Sequence, residues 1–458
     1  MMDGNFDLET EVLVCGGGPG GVACAFTLGK KGVQTILVDK KAKNRIGDKV
    51  CGDALNPILS QRFFELIGLP KPDPDNKELM EKADIIVLQG QHPKAKILLG
   101  DGSATVDRLR YGQHLLKEAE AFDTVQVIPE ARVKDVIVEE GVVTGVTCLT
   151  PEGIIRIGAK VVVDATGSSA VVRRRLPEEM CTKFPRTIPR EQMLVAYREI
   201  IRTKEPHQFQ KGLYLTYEPE LKDVMPGYYW FFSRGERELN IGLGYLMEDR
   251  NRGKNIKKMN ESVRNRYFPD AEVLASQGDQ IPARLPLPSL VHNGFVAVGD
   301  AGALANPLNG EGHGPALNSG IHAGLFIEKA LKNQDCSEEG LWPYNVWVWN
   351  HYGVEFAMGI ALIKFMEKYG YDSFEWLVVE GIIREDDILR QLRNPEARHQ
   401  GMLARVFKLL KRPRLLFGVR KMLNHAEEIK QHAKAYPKTP HRFEEWKEKL
   451  ERIEQKRF

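Results

Sequence analysis

Gly16, Gly18 and Gly21 sit at the spacing G-x-G-x-x-G within Glu11-Val12-Leu13-Val14-Cys15-Gly16-Gly17-Gly18-Pro19-Gly20-Gly21. The chemistry of that spacing is the holding of a pyrophosphate by backbone alone. The first glycine permits a tight turn, the second lets the chain approach the anion, and the third lets a helix pack closely. A helix starting at Pro19 adds free N–H groups and the positive end of its dipole. Asp39, 23 residues after Gly16, is an acid placed to accept from a ribose hydroxyl. Two further stretches offer chemistry. Gly299-Asp300 ends an apolar run and leads to Leu308-Asn309-Gly310-Glu311-Gly312-His313-Gly314-Pro315, a glycine-rich helix start suited to another anion. Cys51 stands in a charged, glycine-rich loop, 40–54, just beyond Asp39.

These groups need elements to position them. A strand before Gly16, a helix of small residues after it and the strand Thr35-Ile36-Leu37-Val38 make a βαβ unit that binds a dinucleotide. The pattern then predicts a helix over 57–67, a linker at 70–76 and strands at 85–88 and 95–99. A helix over 111–122 follows Asp107-Arg108. Strands are expected at 125–128, 132–138, 142–147, 154–157 and 160–163, ending at Asp164-Ala165-Thr166-Gly167. A strand that stops at such a small-residue turn, with a basic helix, Arg173-Arg174-Arg175, after it, can hold another nucleotide contact. From 194 to 246 alternation and aromatics dominate, with Tyr228-Tyr229-Trp230-Phe231-Phe232 at the centre. Successive residues of a strand point to opposite faces, so one face of this run is left for a neighbouring domain or an apolar ligand. Beyond 333 the pattern is helical throughout.

Length and composition bound the rest. A chain of 458 residues, 42% apolar and 28% charged, has room for a large core and two or three subdomains. The apolar stretch 346–363 is interrupted by Asn350, His351 and Glu355, which argues against a membrane span. The first ten residues lack a signal-peptide pattern, so a cytoplasmic location is expected. The six cysteines (Cys15, Cys24, Cys51, Cys148, Cys181 and Cys336) show neither C-x-x-C pairing nor zinc spacing; free thiols and no metal site are expected. Net charge is +3, but 405–458 carries 16 basic against 7 acidic residues and leaves the remainder net negative. Its block 405–421 has seven basic residues and no acidic one. That fits a solvated helical face, a surface for anionic membranes or a dock for an acidic partner. No nucleic-acid partner is expected.

Taken in order, the Gly16–Gly21 fingerprint with Asp39, the Asp164–Gly167 turn and the Gly299-Asp300 motif resemble the para-hydroxybenzoate-hydroxylase-like flavoproteins. Two more pieces narrow the resemblance. Arg45-Ile46-Gly47-Asp48-Lys49-Val50-Cys51-Gly52-Asp53-Ala54 is similar to the cysteine-glycine loop of geranylgeranyl reductases. Pro226-Gly227-Tyr228-Tyr229-Trp230-Phe231-Phe232 is similar to their Y-x-W-x-F-P signature. Together they resemble the archaeal digeranylgeranylglycerophospholipid reductases. In departure from that pattern, Val50 replaces a Pro before the cysteine and Ser233 replaces the final Pro of the aromatic motif; both bear on substrate subtype rather than on the flavin.

The resemblance implies an α/β fold: a Rossmann-type FAD-binding domain (1–78, 107–185 and 291–332), a β-rich α+β substrate domain (79–106 and 186–290) and a helical C-terminal region (333–458). It implies FAD contacts from Gly16, Gly18, Gly20, Gly21, Asp39, Cys51, Gly52, Ala54, Arg108, Ala131, Asp300, Gly312 and His313. Tyr228, Trp230 and Phe232 would line an isoprenoid cavity. Cys51 is also the candidate catalytic group, although a thiol is a weak acid toward a plain alkene. The implied activity is saturation of geranylgeranyl double bonds in membrane lipids by hydride from reduced flavin plus a proton. With one glycine fingerprint, electrons would come from a transiently docked ferredoxin, quinol or NAD(P)H. Two other readings stand beside it. A flavin monooxygenase or halogenase would carry G-D-A-A-H or W-x-W-x-I-P, and neither occurs here. A non-catalytic lipid carrier would keep FAD as structure.

Overall fold

The computed structural model of the chain describes residues 6–55, 64–100, 103–222, 224, 226–393 and 405–458. The predicted helix 57–67 falls partly outside them; 64–67 is helical. Met225, next to the aromatic run, also lies outside.

The first sheet is built on the fingerprint. Leu8–Cys15 pairs in parallel with Thr35–Val38 on one side and Gly153–Asp164 on the other. Val125–Ile128 and Phe295–Ala297 extend it at the two flanks, again in parallel. Val12, Leu13, Val14 and Cys15 are wholly buried, as are Val161, Val162 and Val163 beside them. That is the apolar run of a strand covered on both faces. The two short strands expected at 154–157 and 160–163 are one, Gly153–Asp164, because its first half pairs with the antiparallel strand Val142–Thr150. The apolar run that ends at Gly299-Asp300 is a strand only over Phe295–Ala297.

A second, seven-stranded sheet carries the aromatic run. Its order is Glu272–Pro282, Met193–Arg202, Glu238–Leu246, Gly227–Ser233, Gly212–Thr216, Ile85–Gln89 and Lys96–Leu99. All neighbours are antiparallel except Gly212–Thr216 with Ile85–Gln89. The edge strand Glu272–Pro282 has no counterpart in the sequence reading, since it is polar and mostly exposed. Ala54–Leu55, Ala104–Val106 and Leu79–Lys82 form a separate three-stranded sheet with Ala104–Val106 at its centre.

Among the described residues no strand lies after 333, and helices make up most of that region. Glu338–Val348 runs into Val354–Tyr369 through a π turn, Trp349–Gly353, which places the polar interruptions Asn350, His351 and Glu355 on or beside the distorted turn. Arg173-Arg174-Arg175 forms a single 3-10 turn. Arg173 turns inward. That guanidinium is buried and donates to the carbonyls of Ala301 (3.2 Å), Arg186 (3.1 Å) and Pro185, which ties the turn to the loop after Phe295–Ala297.

Two helices cover one face of the first sheet in unusually close contact. In Pro19–Lys30 and His313–Lys332, a Cβ added at Gly320 would lie 2.0 Å from the Gly20 carbonyl oxygen, and one at Gly324 would lie 2.8 Å from Thr27 Cβ. Overpacking of this kind costs about 1–3 kcal/mol. Gly320→Ala is therefore expected to lower the melting temperature and weaken cofactor retention together, read by thermal unfolding and bound-flavin absorbance; full retention of both would mean that the helices part without consequence.

Candidate active site

A cavity of about 630 Å³ opens where the two sheets meet. Its polar end is made by the turn after Leu8–Cys15. Gly16, at φ +113°, leaves no room for a side chain, since a Cβ would lie 2.4 Å from the Ala165 carbonyl oxygen. At Gly18 a Cβ would meet nothing within 4 Å, so here the backbone faces open space. Gly16, Gly18 and Gly20 border the cavity. Gly21 is placed among the expected contacts but does not reach the cavity wall. Its Cα packs on Gly16, where a Cβ would be 1.8 Å from the carbonyl oxygen, and its role is the helix–turn contact. Asp39 accepts from Gly17 N at 2.7 Å and Lys41 N at 2.8 Å, which aims its carboxylate along the cavity edge beside Ala131.

Opposite, Arg108 begins the helix Arg108–Glu120, capped by Asp107, whose side chain accepts from Leu109 N and Arg110 N. Arg108 is 7% exposed and borders the cavity with His313, Gly312 and Asp300. Burial first, then the charge of Arg108, holds His313 well below its ordinary value, so the imidazole is neutral. Its Nδ1 is buried without a partner among the described residues. Lys49 Nζ lies 3.4 Å from both Asp300 Oδ2 and Asp279 Oδ2. Burial opposes the Lys49 charge, but the two carboxylates outweigh it and keep the ammonium above the ordinary lysine value.

The other end is apolar. Tyr228, Trp230 and Phe232 face the cavity together with Ile86, Leu213 and Leu215. The alternate residues Tyr229 and Phe231 point the other way into a separate core with Tyr217 and Leu239. The strand's two faces thus divide as its alternation predicts. Cys51, Gly52 and Ala54 lie along the same cavity. Gly52 rests flat on Phe232, where a Cβ would come within 2.9 Å of the ring.

The comparisons with known proteins agree with this arrangement. The FAD dependent oxidoreductase family matches residues 11–175. The digeranylgeranylglycerophospholipid reductase of Sulfolobus acidocaldarius is 30% identical, with the alignment covering 98% of each chain. The chain belongs to the digeranylgeranylglycerophospholipid reductase family. It is an FAD-dependent oxidoreductase. Among solved structures, a geranylgeranyl bacteriochlorophyll reductase-like protein of Thermoplasma acidophilum has a TM-score of 0.74 at 19% identity, covering 91% of this chain and 99% of that one. A flavin-dependent brominase variant has a TM-score of 0.67 at 18% identity, covering 88% of this chain and all of the other. These two show the fold alone.

The residues of this reductase-family chain suit FAD. Open backbone at Gly18, two helix N-termini at Pro19 and His313, the Arg108 cation and the unpartnered His313 Nδ1 all meet at the polar end of one cavity. The sequence reading did not find Lys49, Asp279, Tyr197 or Glu311 on the wall. Lys49 is two residues from Cys51 in the same loop, but Asp279 and Tyr197 come from strands whose positions only the sheet reveals.

Glu311 is half-buried in the cavity wall and accepts from Gly314 N at 3.2 Å. Burial pushes its carboxyl up to about 7 from an ordinary 4.5. Glu355, on the first turn after the π turn, is pushed up to about 8 by burial and then by Glu311. Both acids hold protons in the folded chain over a range where the unfolded chain has released them. Their stabilising contribution is present below pH 4.5 and is lost as pH rises through 7 to 8. The double variant Glu311→Gln, Glu355→Gln is expected to gain stability over the parent as pH rises from 5 to 8, measured by chemical denaturation. A pH-independent difference would place both acids at ordinary values.

Proposed function

We propose that this chain saturates the isoprenoid double bonds of geranylgeranyl groups carried on archaeal-type membrane lipids. The observation that carries the reading is one continuous cavity, with the Gly16–Gly20 turn at its polar end and Tyr228, Trp230 and Phe232 at its apolar end. Bound FAD, once reduced, supplies hydride there, and a proton completes the saturation. The turn at Gly16, Gly18 and Gly20, with Asp39, Ala131, Arg108, Asp300, Gly312 and His313, holds the cofactor. Cys51, Gly52 and Ala54, on the same cavity, would add contacts to it, and the aromatic wall would hold the hydrocarbon and exclude water.

A relative named for the same reaction matches nearly end to end, which supports this reading over a halogenase. A non-catalytic carrier is separated by experiment. The purified protein, bleached anaerobically with dithionite, is expected to regain its flavin absorbance when a digeranylgeranyl lipid is added, with a mass gain of two hydrogens per bond reduced. Lipid binding without reoxidation would make it a carrier. Asp300→Ala is expected to release most of the FAD; full retention would remove Asp300 from the cofactor site.

The substrate is a two-chain lipid, so the enzyme works at an anionic membrane surface. No helix among the described residues is long and apolar enough to cross a membrane. The basic block offers a peripheral contact instead. Leu409 and Leu415 within it are buried core residues. Leu410 and Phe417, at 66% and 64% exposure, stand out beside the exposed Lys411, Arg412 and Arg414. Arg412 stacks on Trp376 at 4.6 Å. Each cation near such a surface contributes about 1 kcal/mol. Full burial of Leu or Phe contributes about 1.5–3 kcal/mol. Co-sedimentation with anionic vesicles is expected, weakened by added salt and by Lys411→Gln with Arg414→Gln, and abolished by Leu410→Ser with Phe417→Ser. Equal binding to neutral vesicles, or none, would count against the surface.

A further inference from the structure

We propose that Asn240 is a positioning residue that fastens the Cys51–Asp53 turn to the indole of Trp230, so that the wall touching the hydrocarbon sets the place of the thiol. This deepens the reading of the cavity given above. The coupling itself rests only on three hydrogen bonds made by one fully buried amide. Asn240 Oδ1 accepts from Trp230 Nε1 at 2.9 Å. Asn240 Nδ2 donates to the Cys51 carbonyl at 2.9 Å and to Asp53 Oδ2 at 2.9 Å. The orientation of the amide is not arbitrary. An indole N–H is only a donor, so it must face the oxygen, and the NH₂ is left for the carbonyl and the carboxylate.

The surroundings are cut to allow this. Asn240 lies opposite Phe232 in the strand pair, and Trp230 lies opposite Gly242. A Cβ at Gly242 would fall 2.3 Å from the indole, so only glycine there lets the ring lie flat and reach back to Asn240. Gly52 packs on Phe232 and would place a Cβ 3.7 Å from Trp230 Nε1. Asp53, 2% exposed and at φ +69°, is a non-glycine residue held in the left-handed region. Such a conformation persists only where the neighbours over-determine it. Here they are Asn240, the Arg234 guanidinium paired with Asp53 Oδ2, and Val106 N, which donates to the Asp53 carbonyl at 2.9 Å. Arg234 also lies 3.7 Å from Asp107, the cap of the helix that begins at Arg108.

The network is not the one that stability alone would select. Asp53 Oδ1 and Arg234 Nε are buried without a partner among the described residues. A half-satisfied buried polar cluster is worse for stability than an apolar one. What it does provide is a rigid link. From the ring face in the cavity to the Cys51 carbonyl there are two hydrogen bonds and one planar amide, with no rotatable chain between them. A bulky occupant pressing on Trp230 therefore bears on the cysteine turn.

The test is thiol labelling of the FAD-loaded protein with a maleimide, with each cysteine followed by peptide mass spectrometry. Cys181 and Cys336 are half-buried like Cys51 and serve as internal references. Asn240→Leu keeps the volume and removes all three bonds. It is expected to raise Cys51 labelling relative to both references at least about tenfold, the opening expected from losing two ordinary hydrogen bonds. General loosening would raise all three thiols together and would overturn the proposal. Trp230→Phe keeps an aromatic face and removes only the indole donor; it is expected to raise Cys51 labelling by about threefold, the loss of part of one bond. If Asn240→Leu does not fold, an unchanged Cys51 ratio in Trp230→Phe overturns the proposal. A digeranylgeranyl lipid should shield Cys51 in the parent and fail to do so in Trp230→Phe. Selective labelling changes in a protein that never reduces the lipid would leave the coupling standing and remove the catalytic reading instead.

Discussion

Two helices can aim their N-termini at one cavity only if they cross almost without side chains between them, and the contact of Gly20 with Gly320 is what allows it. The carbonyl of Gly20 fills the space where a Gly320 side chain would begin. Gly16 and Gly21 make the same kind of contact between the turn and the first helix. Moved apart by a methyl group, the helices would no longer bring Pro19 and His313 to the same wall. The positive dipole ends, the open backbone at Gly18 and the Asp300 carboxylate are then positioned by backbone rather than by flexible side chains. The parallel sheet supplies the rest of the constraint, since its strands end together on this side.

Electrostatics inside the cavity follow from the same geometry. The polar end sets the cations Arg108 and Lys49 against Asp39, Asp279 and Asp300, and the neutral His313 between them avoids adding a further charge. Burial shifts two further acids toward their neutral forms, Glu311 on the cavity wall and Glu355 further along the chain. Charge is therefore kept where dipoles and partners stabilise it, and withheld where hydrocarbon would have to displace water from it. The π turn at Trp349–Gly353 leads directly into the turn that carries Glu355, which is half-buried while His351 stays exposed.

What could be read from the chain alone was whatever repeats at a short period or rests on residue type. The fingerprint, the parallel strands around it and the two faces of the aromatic strand are of that kind. Burial is less legible in local pattern. Of the Asp164–Gly167 turn and the three arginines after it, Ala165, Thr166 and Gly167 border the cavity, while Arg173 turns inward to three carbonyls. Leu409 and Leu415 stand in the basic block and yet are core, in one cluster with Phe365 and Met422. Asn240 and Asp53 were out of reach for another reason. Their bond joins residues 187 apart, and nothing in either local stretch announces the other.

The polar tips of the wall decide what kind of recognition it can perform. Tyr228 donates its hydroxyl to the Asn309 carbonyl, Trp230 donates its indole N–H to Asn240, and Phe232 has no polar atom. Only ring faces are left for an occupant. A wall of this sort selects by area and shape, and a methylene more or less changes binding by only about 1–3 kcal/mol. It cannot grip a particular double bond by hydrogen bonding, because a plain alkene offers none. At its edge the wall is continuous with the cysteine turn, because Gly52 lies flush on Phe232 and even one added carbon there would meet the ring at 2.9 Å.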